Sequence, residues 1–187
     1  TVGSVGTIAT GTFLWSPAAG LSSTTSNPVA ASPMNTTTYT VVRTTGAGCQ
    51  ASAQVTITVN KRPTVTTQPV NSVRCVGNTA TFTVAGTGTA LTYQWQVSTT
   101  GCAGPWTNLT NIAPYSGVNT PTLTVNPVTQ LMNGYAYRVI LSGTCAPILT
   151  NNISNCATLT VNPNPVVAIT PAGPVCGGVA GISGTLL

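Results

Sequence analysis

Two stretches of this chain share one design. "VTITVNKRPTV" at 55–65 and "ATLTVNPNPVV" at 157–167 each run through a β-branched strand that ends in Thr-Val-Asn. A proline-containing link and a new β-branched run then follow. Proline has no amide hydrogen for a ladder and holds φ near −65°, so it ends one strand and stiffens the step to the next. The two closing asparagines, Asn60 and Asn162, stand 102 residues apart. A recurring strand-and-link boundary marks a unit of folding. Residues 61–162 are therefore expected to be a complete domain, 1–60 the C-terminal part of another, and 163–187 the first strands of a third.

The material between the boundaries is strand throughout. "YTVVR", "TATFTVAG", "LTYQWQVS", "PTLTVN" and "YAYRVILSG" alternate apolar and polar residues or are β-branched along their length, with Gly, Pro and Asn between them. Side chains alternate faces along a strand, so one inward set can be read from each run. The first strand is Thr64–Thr67. The inward sets that follow are Ala80, Phe82 and Val84; Leu91, Tyr93, Trp95 and Val97; Leu123 and Val125; Tyr135, Tyr137, Val139 and Leu141; and Leu159 and Val161. About 100 residues of short strands describes an immunoglobulin-sized β-sandwich, which expects a buried Trp on its third strand; Trp95 takes that place. Tyr135 falls at the corner tyrosine. Tyr137 and Val84 stand where such domains place their inter-sheet cysteines.

Residues 1–60 carry a second Trp-bearing strand, "GTFLWSP" with Trp15, a later strand with Tyr39, and the closing "ASAQVTITVN". Their early strands are missing at this end and present in 163–187. Tail joined to head reads as one more sandwich. The expected fold class is all-β: tandem immunoglobulin-like β-sandwiches, one of them split across the chain ends.

Composition narrows function. A typical domain is about 25% charged; this chain is 3% charged, with five Lys/Arg and no Asp, Glu or His. General acid–base catalysis needs a titratable group in reach of a substrate, and neither a Ser-His-Asp arrangement nor a carboxylate pair nor a calcium cage can be assembled. The expectation is no enzyme, no cofactor and no metal. The basic residues Arg43, Lys61, Arg62, Arg74 and Arg138 form no stripe of the kind nucleic acid requires. There is no apolar run of about 18 residues, so no membrane-spanning helix is expected.

Six cysteines without a CxxC pair point to disulfides and an oxidising compartment. Cys75 and Cys102 fall in turns expected at one end of the sandwich, and Cys145 and Cys156 flank the last hairpin at the other. This predicts Cys75–Cys102 and Cys145–Cys156, with Cys49–Cys176 across the repeat boundary. The alternative, Cys75–Cys145 with Cys102–Cys156, has to span the domain, whereas bridged Cα atoms lie within about 7 Å. Trp106 and Tyr115 lie in a loop-rich stretch as a candidate aromatic platform for sugars or a partner, or, for Trp106, as a cover for a sheet edge. Asn35, Asn108 and Asn152 open N-x-S/T sequons, candidate glycosylation sites.

The stretches "WSPAAGLSSTTSNPVAASPMNTTTYTVV" with "GCQASAQVTITVN", and "TTQPVNSVRCVGNTATFTVAGTGTALTYQWQVS" with "MNGYAYRVILSGTC" and "ATLTVN", resemble the tandem immunoglobulin-like and PKD-like repeats of large Bacteroidetes surface and secreted proteins, among them gliding-motility adhesins and type IX secretion cargo. The family normally carries Asp where this chain has Asn78 and Asn133. The resemblance implies an extracellular, cell-surface location and a repeat unit of a filament or stalk, with copies of the chain as partners. The other class of function is a ligand- or glycan-binding module of an adhesin, with glycans or host or environmental surfaces as partners.

Overall fold

The computed structural model describes residues 11–145, 151–171 and 182–186. The chain divides into two compact units between Lys61 and Arg62.

The first unit holds a three-stranded antiparallel sheet of β1 (Gly11–Ser16), β2 (Thr37–Thr45) and β3 (Gln50–Ile57), in that order. Its core is small. Trp15, Val29 and Tyr39 are buried, with Leu21, Ala31, Val41, Val55 and Ile57 packed against them. Both large aromatics satisfy their polar atoms. Trp15 Nε1–H donates to the Ser26 carbonyl at 3.2 Å, and Tyr39 O–H donates to the Ala19 carbonyl at 2.6 Å. A buried aromatic with a paired polar tip keeps its burial gain without an unmet hydrogen bond.

The second unit is a sandwich. One sheet has β5 (Ser72–Cys75), β13 (Ala157–Asn162), β12 (Ala136–Ser142), β8 (Thr92–Ser98) and β9 (Thr107–Asn108), in that order. The other has β10 (Tyr115–Ser116), β11 (Thr122–Val125) and β6 (Ala80–Thr83). A short pair of β4 (Thr64–Thr67) and β7 (Ala85–Thr87) flanks them. Every pairing in the main sheets is antiparallel except β13 with β5, which is parallel from Leu159↔Ser72 to Asn162↔Cys75. A last antiparallel pair joins β14 (Val167–Pro171) to β15 (Ile182–Leu186).

The inward alternation read from the sequence fills this core. Phe82, Val84, Trp95, Leu123, Val125, Tyr137, Val139, Leu141, Leu159 and Val161 are buried in one cluster. Trp95 Nε1–H donates to the Thr120 carbonyl at 3.0 Å, tying one sheet to the loop that feeds the other. Tyr135 is only partly buried and packs against the cluster's margin, so it is less a core residue than expected. Tyr137 does stand between the sheets. Its ring partner across the gap is Phe82, centroids 4.7 Å apart, where the sequence had placed Val84.

Entry and exit lie at opposite poles of the second unit. Buried Pro63 packs at the entry pole against Gly88 and Gly143, just past the end of β12. Asn162 leaves beside Cys75 and Val76. There Gly134 N–H donates to the Leu159 carbonyl and Gln130 Nε2–H to the Val161 carbonyl, just before β12 begins. The length of β12 separates the poles, about 20 Å at ~3.3 Å per residue.

Candidate functional site

The expected disulfide pattern is corrected by the register of the closing strands. Cys102 is bonded to Cys156, with Cα atoms 5.7 Å apart. That excludes Cys75–Cys102 and Cys145–Cys156. The expectation treated residues 145–156 as a hairpin tip and so sent Cys156 to the far end. The chain instead returns along β12 before β13 begins. Ile153 bridges Ile140, Leu141 N–H donates to the Asn152 carbonyl, and Ser154 N–H donates to the Val139 carbonyl. Cys156 thus comes level with the start of β12 and with the turn after β8, where Cys102 waits. Cys75 lies at the exit pole and carries no disulfide, whereas Cys145 follows the end of β12, so a Cys75–Cys145 bond would span the sandwich. Cys49 is an exposed thiol in the β2–β3 turn. Its expected partner, Cys176, lies outside the described residues.

Beside the disulfide, the outer face of the five-stranded sheet carries a polar chain that the sequence reading missed. Gln96 on β8 and Arg138 on β12 are directly opposite in register. Arg138 Nε–H donates to Gln96 Oε1 at 2.8 Å, and Gln96 Nε2–H donates to Asn108 Oδ1 at 2.8 Å. The guanidinium carbon sits 4.3 Å from the centre of the Trp106 ring, a cation–π contact. Partial burial lowers the guanidinium pKa from its ordinary value, yet a guanidinium remains charged at any physiological pH. The available signal was the alternation: Gln96 and Arg138 are outward positions of adjacent strands.

Trp106 and Tyr115 do not form one platform. Trp106 covers the outer face of the five-stranded sheet through Arg138. Tyr115 belongs to the opposite sheet and meets buried Tyr137 edge-on, centroids 6.2 Å apart. The sequons also separate. Asn35 and Asn108 are exposed. Asn152 is buried, and its Nδ2–H donates to the Leu141 carbonyl at 3.0 Å. A glycan on that nitrogen is incompatible with the folded strand, so Asn152 drops out as a candidate.

Among the described residues, no group of three or more His, Cys, Asp or Glu side chains could hold a metal. No helix among them is long and apolar enough to cross a membrane.

No protein-family model matches the chain, and no curated protein matches it in sequence. Solved structures do resemble it. The N-terminal eight immunoglobulin domains of Down Syndrome Cell Adhesion Molecule align over 82% of this chain and 21% of theirs, with a TM-score of 0.55 and 12% identity. The complex of Dpr2 Ig1-Ig2 with DIP-Theta Ig1-Ig3 aligns over 86% of this chain and 60% of its own, with a TM-score of 0.52 and 16% identity. The chain thus spans less than two thirds of each, and at these identities the likeness is one of fold. The molecule is an all-β protein of immunoglobulin-like architecture. Its solved neighbours are tandem-domain proteins, each built from several such sandwiches.

Proposed function

We propose that the chain is a structural repeat of an extracellular bacterial filament or surface stalk, built from immunoglobulin-like domains strung end to end. The observation that carries this is the placement of the links in the second unit. The chain enters at one pole through buried Pro63 and leaves at the other through Asn162. A sandwich with poles of this kind adds length with each repeat rather than folding back. The Asn60 and Asn162 boundaries have the same sequence form, so the same joint can recur.

Two further features support the reading. The β14–β15 pair has the form of β4–β7 in the second unit: Val167 pairs with Leu186 where Val65 pairs with Gly86. By position in the repeat these are the early strands of a further sandwich. The first unit in turn holds a Trp strand and two closing strands, β1 to β3. The strands that open after Asn162 are then of the kind that β1 to β3 would close in a repeating array. The Cys102–Cys156 bridge suits an oxidising exterior.

Electron microscopy of the purified chain at rising concentration tests this. Rods with an axial repeat of two domains are the expected result. Compact particles of one mass at every concentration would sink the filament reading. The binding-module alternative has less behind it, because Trp106 is occupied by Arg138 and Tyr115 by Tyr137.

A further inference from the structure

Arg138, Gln96 and Asn108 form one rung across three strands. Arg138 on β12 stands opposite Gln96 on β8, and Gln96 stands opposite Asn108 on β9. The hydrogen bonds along this rung can run in one direction only. A guanidinium has N–H donors and no acceptor, so Arg138 donates and Gln96 meets it with Oε1. Gln96 then has its Nε2–H to give, and Asn108 turns its Oδ1 to receive it. Gln96 is buried. Both side-chain oxygens of the rung are engaged inward, and N–H groups are left at its two ends: Nη1 and Nη2 of half-buried Arg138, and Nδ2 of exposed Asn108. Among the described residues these three nitrogens donate to no protein acceptor. The rung is also held in place. The Trp106 ring lies against the guanidinium. The loop carrying Trp106 is anchored by the Cys102–Cys156 bond, and it closes on the indole at Gly104, where a Cβ would stand 3.0 Å from Trp106 Cδ1.

We propose that this rung is a binding site for an acidic sugar, with its carboxylate received by the Arg138 fork and its neutral oxygens by the Asn108 amide. A guanidinium presents paired N–H groups that match the two oxygens of a carboxylate. The carboxylate has to come from another molecule, because the chain has no Asp or Glu. A second copy has no such side chain to offer either. A bare carboxylate would use one end of the rung only. The other end, two strand spacings or about 10 Å away, offers uncharged donors, which suit a hydroxyl or ring oxygen. A uronate-containing glycan carries both kinds of acceptor on a stiff frame, and a fixed rung loses little freedom in meeting it. Recognition runs through hydrogen-bond donors rather than ring stacking, so the occupied face of Trp106 is no obstacle. The inference does not depend on the end-to-end reading.

The test titrates the full chain with tetragalacturonate, with its methyl ester and with a tetra-aspartate peptide. Binding is followed by NMR at the side-chain N–H groups of Arg138, Asn108 and Trp106. Two variants accompany it, each checked for native fold by near-ultraviolet circular dichroism. Arg138→Lys keeps the charge and loses the fork. Asn108→Asp keeps an oxygen for Gln96 and replaces the donor end with a carboxylate. The expected result is that tetragalacturonate shifts all three side chains, with affinity at least tenfold lower for the ester, for the peptide and in each folded variant. Equal binding of the ester would show that charge is not read. Peptide binding as tight as the sugar's would make this a site for acidic protein segments. Full affinity in either variant would remove that end of the rung. Each of these overturns the proposal, and so, on the wild type alone, does an absence of binding or a set of shifts confined to residues away from the rung.

Discussion

Phe82 on β6 and Tyr137 on β12 meet across the two sheets of the second unit, ring centroids 4.7 Å apart and planes tilted by 34°. Both rings are at most 1% exposed. They occupy the inter-sheet space where immunoglobulin domains commonly place a disulfide. Removing the Phe82 ring leaves a cavity that the β-sheets cannot close. Phe82→Ala should cost about 3–5 kcal/mol, read as a lowered urea midpoint at constant slope.

Among the described residues the buried Tyr137 hydroxyl makes no hydrogen bond of full geometry, and the Tyr115 side chain is the polar group that interacts with it. An unmet buried polar group costs about 1–3 kcal/mol. Tyr137→Phe keeps the ring and deletes the liability, so the variant should be at least as stable as the parent near pH 7. A clear fall in its unfolding midpoint would show that the interaction with Tyr115 outweighs that cost.

Burial also pushes the Tyr137 hydroxyl far above the usual tyrosine range, and Tyr115 is raised by the same cause. The sign follows from proton counting. Above about pH 10 the unfolded tyrosines lose their protons and the folded ones keep them, so the unfolded state gains and stability falls. Below that pH these groups contribute no slope. Thermal midpoints should be level from pH 7 to 9 on their account and drop above 10, with Tyr137 the larger contributor because Tyr115 is more exposed and solvent screens it. Tyr137→Phe should flatten that alkaline limb.

The Cys102–Cys156 bridge closes a sequence separation of 54 residues. Its loss should cost about 2–4 kcal/mol, chiefly by freeing the unfolded chain. Peptide mapping without reduction should recover a Cys102 fragment linked to a Cys156 fragment. Recovery of Cys75 linked to Cys102 would refute the register described for the closing strands.

Gly143 lies against the entry link. A Cβ there would stand 2.7 Å from the Thr89 carbonyl oxygen and 3.3 Å from Pro63 Cγ. The first contact is with backbone, which cannot swing aside. Gly143→Ala should therefore destabilise the second unit by about 1–3 kcal/mol. Gly77→Asn is the contrast, because a Cβ at Gly77 meets nothing within 4 Å and its positive φ of 89° is one that Asn tolerates better than most residues. Calorimetry of the two variants should separate them.

Strand alternation needed only the sequence, because side-chain direction along a strand repeats every two residues whatever the partner. That local rule is why Phe82, Trp95, Leu123, Val139 and Leu159 could be placed inside before any pairing was known, and why the fold class followed. Pairing is not local. The partner of Cys102 depended on residues 151–154 returning along β12, a register that no window around either cysteine encodes. Trp106 was visible as an aromatic in a loop, but Arg138, which occupies it, is brought there only by the β8–β12 ladder. Thr58-Val59-Asn60 and Thr160-Val161-Asn162 are the clearest case. The second set belongs to β13, in a parallel ladder with β5, whereas the first lies beyond the end of β3. Their sequences are the same, so what puts one of them in a sheet is the strand that the tertiary fold sets beside it.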